Sequence, residues 1–381
     1  MHCIMPIFGT RPEAIKMAPI VSALMESPHF HCVVTVTGQH REMLDQVNEL
    51  FGIVPDHDLN ILQQGQSLSA IMTRTMEGLE KLFLQVRPDA VVVQGDTTTS
   101  TAAAIAAIYH GVPVVHVEAG LRSGDPLSPF PEEANRKITS QIARLHLAPT
   151  STSRTNLMNE GINPADIVVT GNSVIDALLA TVDKQITFTD PKLEELVACG
   201  RRILLVTTHR RENQGAIMRG VGRALARIAE AEPDLVIVLP IHKNPVVREA
   251  VLPALEGKKN VLVTEPLAYG EFTRLMSMAH MVLTDSGGVQ EEAPSLGKPV
   301  LVMRQNTERP EAVDAGTVLL IGTDEDRIVT EVTRLLYDEE HFATMANALN
   351  PYGDGRASAR TLAAIEELFG VGLRIDEFAG H

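Results

Sequence analysis

The chain has 381 residues, more than one hydrophobic core ordinarily serves, so about two domains are expected. At 44% apolar and 21% charged residues it is neither disordered nor fibrous. With 33 Lys and Arg against 48 Asp and Glu, the net charge of −15 excludes a general nucleic-acid binder, so any anion site must be local.

In chain order, short apolar runs at Cys3–Phe8, Cys32–Thr37, Ala90–Gln94 and Val112–Val117 predict buried parallel strands. Helical patterns follow at Glu13–Met25, Arg41–Phe51, Leu68–Val86 and Thr98–His110, and Ile167–Thr170 closes the series. After a polar stretch at Asp183–Pro191 the alternation restarts. Strands are predicted at Ile203–Thr207, Leu235–Leu239, Val261–Thr264, Met281–Thr284, Val300–Met303 and Val318–Ile321, with a last helix near Ser358–Phe369. Repeated βα units give parallel sheets with helices on both faces. The expected fold is α/β, with two doubly wound Rossmann-like domains facing a cleft. Their bounds are placed at 1–172 and 173–357, the helix from about 358 packing back on the first domain. The tail after Gly370 is expected to be weakly ordered.

Three separated cysteines (Cys3, Cys32, Cys199) without a CxxC pair predict no disulfide framework and no zinc–thiolate site. No run approaches the roughly 18 apolar residues that span a bilayer. MHCIMPIFG lacks the basic and long apolar regions of a signal peptide. The expectation is a cytoplasmic protein without membrane association.

In open α/β sheets, ligands lie beyond the carboxyl ends of the strands. After the first strand come Gly9, Arg11 and Pro12, with Lys16 one turn further on; the spacing is neither GxGxxG nor a P-loop. After the third run Asp96 stands where a helix cap belongs, which capping alone would explain. After the fourth, Glu118 is followed by Ala-Gly, and a loop leads to Glu132 and Arg136, four apart on one helix face. Carboxylates that share a site shift one another's pKa, which is how acid and base roles arise. The second half offers His209 beside Arg210, His242 after the next strand, and Ser286-Gly287-Gly288 between a strand and a helix. Two glycines let a phosphate approach backbone N–H groups. Glu292 follows on that helix, where it could take a ribose diol, and Arg304 and Arg309 lie downstream. The thirteen histidines form no HExxH or Cys-His pattern, so no metal site is predicted, and there is no GxSxG elbow. What remains is acid–base chemistry on a nucleotide-linked substrate.

These motifs carry a resemblance. FGTRPEAIKMAP (8–19), GQHREMLDQ (38–46), QGDTTT (94–99), HVEAGLRSGD (116–125), PFPEEANR (129–136), TTHRREN (207–213), TDSGGVQEEAPSLGKPVLVMR (284–304) and TERPEAV (307–313) closely resemble the bacterial non-hydrolysing UDP-N-acetylglucosamine 2-epimerases. The blocks are collinear and cover nearly the whole chain. The resemblance implies a glycosyltransferase-B architecture, a homodimer, and interconversion of UDP-GlcNAc and UDP-ManNAc with no cofactor. UDP is eliminated to give 2-acetamidoglucal and then added back. It further implies that Asp96, Glu118 and Glu132 are the catalytic carboxylates and His209 the active-site histidine. Arg11, Lys16 and Arg136 become substrate-binding cations. Ser286, Gly287, Gly288, Glu292 and Arg309 would bind UDP, and Phe272 would line the uracil pocket. The base lies between Glu118 and Asp96, with Glu132 as counterpart. Gln39, Arg210 and His242 match an activator site for a second UDP-GlcNAc. A UDP-sugar glycosyltransferase, a hydrolysing epimerase and a non-catalytic UDP-sugar sensor are the competing readings. The trio of carboxylates argues for the epimerase.

Overall fold

The computed structural model describes residues 1–38, 41–63, 65–210 and 213–380, with the side chains of residues 41–43 excepted. The chain divides into two compact units, Met1–Ala177 with Tyr352–Gly380, and Leu178–Pro351.

The first unit is built on a parallel sheet. Its strands are β1 (His2–Phe8), β2 (Phe30–Cys32), β3 (Thr35–Val36), β4 (His57–Asp58), β5 (Ala90–Gln94), β6 (Val114–Val117), β7 (Leu145–Ala148) and β8 (Ile167–Val169). The order across the sheet is β4-β3-β1-β5-β6-β7-β8, with β2 beside β1. β5 reads Ala-Val-Val-Val-Gln and is buried along its whole length, the pattern of a strand covered on both faces. One face packs Met5, Ile7, Val91 and Val93 against Leu79, Leu82 and Phe83 of the helix Leu68–Val86. Ala103, Ala104, Ala106 and Ala107 of the helix Thr98–Tyr109 fill the same layer, their small side chains allowing close approach. The sequence predicts one strand at Cys32–Thr37. The chain instead pairs with β1 twice, as β2 and as β3, with Val33 N–H donating to the Ile4 carbonyl between them.

The tail differs from its expected weak order. Phe378 N–H donates to the Val169 carbonyl at 2.8 Å, and Arg154 grips both Glu377 oxygens at 2.6 and 2.7 Å. The tail therefore covers the open edge of β8, an edge that would otherwise offer unpaired backbone groups.

The second unit has β9 (Ile203–Thr207), β10 (Val236–Pro240), β11 (Val261–Thr264), β12 (Met281–Thr284), β13 (Val300–Val302) and β14 (Val318–Leu320), ordered β11-β10-β9-β12-β13-β14 and parallel throughout. Leu204, Val206, Ile237, Leu239 and Leu283 pack against Met218, Val221 and Leu225, against Val247 and Val251, and against Ile328 and Val332 of three flanking helices. In each sheet the chain winds first one way and then the other. The reversal falls between β1 and β5 in the first unit and between β9 and β12 in the second, and such switch points are where ligands bind in open α/β sheets.

Candidate active site

At the first switch point, the turns after β1 and β5 are tied together by Glu13. It is fully buried, accepts Gly9 and Thr10 N–H at 3.0 and 2.8 Å, and accepts the Thr97 hydroxyl at 2.7 Å. Burial pushes its carboxyl upward, against the pull of those donors. Arg11 then opens the helix Arg11–Glu26, and Lys16 follows one turn later.

Lys16 Nζ reaches both oxygens of Glu118 at 2.6 Å. Glu118, just past β6, is nearly buried and has a φ of +61°. A side chain in the left-handed region costs about 1–3 kcal/mol and is retained where the surroundings over-determine it. Those surroundings include the Gln94 amide, which donates to Oε2, and Asn172 Nδ2, which donates to Oε1 at 3.3 Å. Asn172 is itself fixed, since its N–H donates to the Tyr352 carbonyl at 2.7 Å and its Oδ1 accepts Val174 N–H at 3.1 Å.

Asp96, one strand away, accepts Arg136 Nε at 3.0 Å. Burial pushes its carboxyl up, aided by the charge of Glu132 and opposed by Arg136 and Lys16. Asp96 thus feels the charges of Arg136, Lys16 and Glu132. Arg136 pairs not with Glu132, its helical neighbour at four residues, but with Glu133, which is fully buried and accepts Nη1 at 3.1 Å. Glu132 is left half-buried on the first turn of the helix Glu132–Ile142.

At the second switch point Asp285, fully buried, gathers the loop after β9. It accepts the N–H groups of His209 and Arg210, the Thr208 hydroxyl at 2.9 Å and Asn213 Nδ2 at 3.3 Å, and His209 Nδ1 lies 3.2 Å from its Oδ1. Burial works against its charge, but the His209 ring and these backbone donors outweigh it and hold the carboxyl below its ordinary range. The His242 ring stacks on His209 with centroids 5.9 Å apart, and Arg210 Nε donates to the Asp285 carbonyl.

Ser286 precedes the short helix Gly287–Glu292, and its hydroxyl makes no cap. A Cβ on Gly287 would lie 2.6 Å from Arg309 Nη1, so that glycine leaves room for the guanidinium; at Gly288 a Cβ would meet only Glu292 Oε1, at 3.5 Å. Arg309 Nε donates to Glu291 Oε1, and Arg304 grips both oxygens of Glu308. Phe272 sits half-buried on the helix Tyr269–Met278. Gln39 lies outside the described residues.

A family profile described as UDP-N-acetylglucosamine 2-epimerase matches residues 22–366. The UDP-N-acetylglucosamine 2-epimerase of Escherichia coli K12 is 54% identical over 369 residues, covering 95% of this chain and 98% of its own. The chain belongs to the UDP-N-acetylglucosamine 2-epimerase family. The family expected from the motifs is therefore borne out, and with it an isomerase. The crystal structure of the Neisseria meningitidis UDP-GlcNAc 2-epimerase bound to UDP-GlcNAc is 45% identical with a TM-score of 0.85, over 97% of this chain and 100% of that one. The glycotransferase of kitacinnamycin, 14% identical with a TM-score of 0.66 over 96% of this chain and 98% of that one, shares the fold alone. Both likenesses agree with the expected glycosyltransferase-B architecture of two parallel-sheet units.

Within this epimerase, sequence reasoning passes over Gln94, Asn172, Glu133 and Asp285. An amide at or just past a strand end, or a carboxylate beside a more prominent one, carries no distinguishing spacing; Gln94 and Asn172 meet Glu118 across 24 and 54 residues of chain, and Asp285 meets Thr208 across 77. Among the described residues no group of three His, Cys, Asp or Glu side chains is arranged to hold a metal ion. No helix among them is long and apolar enough to cross a membrane.

Proposed function

We propose that this epimerase interconverts UDP-GlcNAc and UDP-ManNAc without releasing free sugar, and that the carboxylates of the first unit perform the proton transfers. The observation that carries the reading is Glu118, held at positive φ by Lys16, Gln94 and Asn172, with Asp96 beside it paired to Arg136 and feeling the charges of Lys16 and Glu132. Epimerisation at carbon 2 needs a base on one face of the sugar and an acid on the other. Glu118, fixed and charge-paired, suits the base. Asp96, whose carboxyl is pushed toward holding its proton, suits the acid, with Glu132 as a second candidate. In the forward step the C2–H proton passes to the base, its electron pair forms the C1–C2 double bond, and the C1–O bond breaks with its pair leaving on UDP. Return of UDP to C1, with a proton delivered to the other face of C2, completes the inversion.

Departure of a diphosphate calls for donors. Arg11, Lys16 and Arg136 in the first unit, and His209, Ser286–Gly288 and Arg309 in the second, are proposed to supply them. Glu292 is proposed to bind the ribose and Phe272 the uracil. Activation by a second UDP-GlcNAc through Gln39, Arg210 and His242 belongs to the same proposal, as do a homodimer and a cytoplasmic location, the latter supported by three free cysteines.

The test is incubation of purified protein with UDP-GlcNAc in EDTA, without nicotinamide, and separation of the products. UDP-ManNAc alone is expected. UDP with free ManNAc would establish the hydrolysing reaction instead, and turnover only with an added acceptor would establish a transferase. Light scattering during gel filtration tests the dimer: twice the 41.4 kDa chain mass is expected.

A further inference from the structure

Asp285 anchors a loop, and its geometry toward His209 does more than anchor. An ionised carboxylate has only acceptor sites, so the 3.2 Å contact between Asp285 Oδ1 and His209 Nδ1 is a hydrogen bond only if Nδ1 carries the proton. The reverse tautomer would set a nitrogen lone pair against a buried anion. That anion is already fixed by the backbone N–H groups of His209 and Arg210, the Thr208 hydroxyl and Asn213, so it cannot turn away without releasing them. The ring is further held by the His242 imidazole stacked on it, whose own Nδ1 accepts Asn244 N–H at 3.1 Å. Asp285 is fully buried, whereas 44% of the His209 side chain is exposed.

We propose that Asp285 is a positioning residue that, through Nδ1, fixes the tautomer and orientation of His209 and so presents Nε2 as the nitrogen facing substrate. Both groups sit at the switch point of the second sheet, Asp285 directly after β12 and His209 two residues past β9. A histidine whose Nδ1–H is held by a carboxylate has one working nitrogen, which accepts a proton when neutral and donates one when charged. Given the epimerase reading, Nε2 would meet the oxygen on which the C1–O electron pair leaves, donating to it as UDP departs and recovering the proton when UDP adds back. The dyad itself does not depend on that reading.

Two measurements test it. The first is 15N NMR of the histidine-labelled full chain at pH 8.5, with the His209 signals assigned by their loss in His209→Gln. A protonated Nδ1 is expected, and a bare Nδ1 with the proton on Nε2 would overturn the proposal whether or not the protein epimerises anything. The second is a double-mutant cycle on UDP-GlcNAc epimerisation. Asp285→Asn is expected to lower kcat by at least about tenfold, with a smaller change in KM. In the His209→Gln background the same substitution should cost no more than about twofold, because its effect is transmitted through the ring. An equal loss in both backgrounds would mean that Asp285 only holds the loop, and would also overturn the proposal. Should Asp285→Asn fail to fold, the tautomer decides alone. An inactive wild type would instead refute the epimerase reading and leave the tautomer test standing.

Discussion

A carboxylate and a lysine 102 residues apart in the chain meet at 2.6 Å because β1 and β6 end on the same side of one sheet. That contact singles out Glu118 among the carboxylates of the first unit. Glu118→Gln, Asp96→Asn and Glu132→Gln should each lower epimerase turnover by about two to four orders of magnitude, the usual scale for a lost acid or base. Circular dichroism should be unchanged. Near-wild-type rates in all three would refute their assignment. Glu118, Asp96 and Glu132 are visible in the sequence because each stands beside a strand end or a helix start. The strained φ of Glu118 is not visible there, nor is the choice Arg136 makes of Asp96 and Glu133 over Glu132. Those depend on where the loop Gly120–Pro131 carries its ends, which no local spacing encodes.

At the scale of elements, the Ser-Gly-Gly turn after β12 and the tail along β8 make separable predictions. The turn is legible in the sequence because paired glycines between a buried strand and a helix bare the backbone N–H groups that an anion needs. A Cβ at position 288 meets nothing closer than Glu292 at 3.5 Å, so the fold has room for one there. Gly288→Val should therefore fold yet bind UDP at least about tenfold more weakly, ~1.4 kcal/mol by calorimetry. Unchanged affinity would place the nucleotide elsewhere. The tail is not legible, because the alternation of Val371, Leu373 and Ile375 reads as a half-buried strand, whereas no strand forms there and Leu373 and Ile375 are exposed. Its order comes from Arg154, Val169 and Arg360, which lie elsewhere in the chain. Deleting residues 371–381 should uncover β8 and lower unfolding free energy by roughly 1–3 kcal/mol in urea titrations. β7 is also hidden, since Leu-His-Leu-Ala is short and its histidine interrupts the apolar run.

That histidine matters to the molecule as a whole. His146 and His116 are registered opposite each other on β7 and β6, both buried, and burial pushes their imidazoles down to about 4 and about 3. The native state therefore keeps them neutral, while an unfolded histidine takes up a proton near pH 6.5. Their contribution to stability is complete above about pH 6.5 and is lost as pH falls toward the native values, because only the unfolded chain binds protons in that window. For His146 the loss between pH 7 and pH 5 is about 2 kcal/mol. His146→Leu should make the difference in unfolding free energy between those two pH values smaller by about that amount; an unaltered difference would contradict the linkage.

The alternation of strands and helices is readable because parallel strands buried on both faces must be apolar along their length, and nearly every such run is a strand. The place where chemistry gathers is readable for the same reason, since strand ends in an open sheet converge at the switch point. The measurement that tests carboxylate-driven epimerisation most directly is proton NMR of UDP-GlcNAc with the purified enzyme in deuterated water. UDP-ManNAc should form, with deuterium entering carbon 2 of both epimers and no free sugar. Epimerisation that keeps the original hydrogen at carbon 2, or accumulation of free ManNAc with UDP, would contradict it.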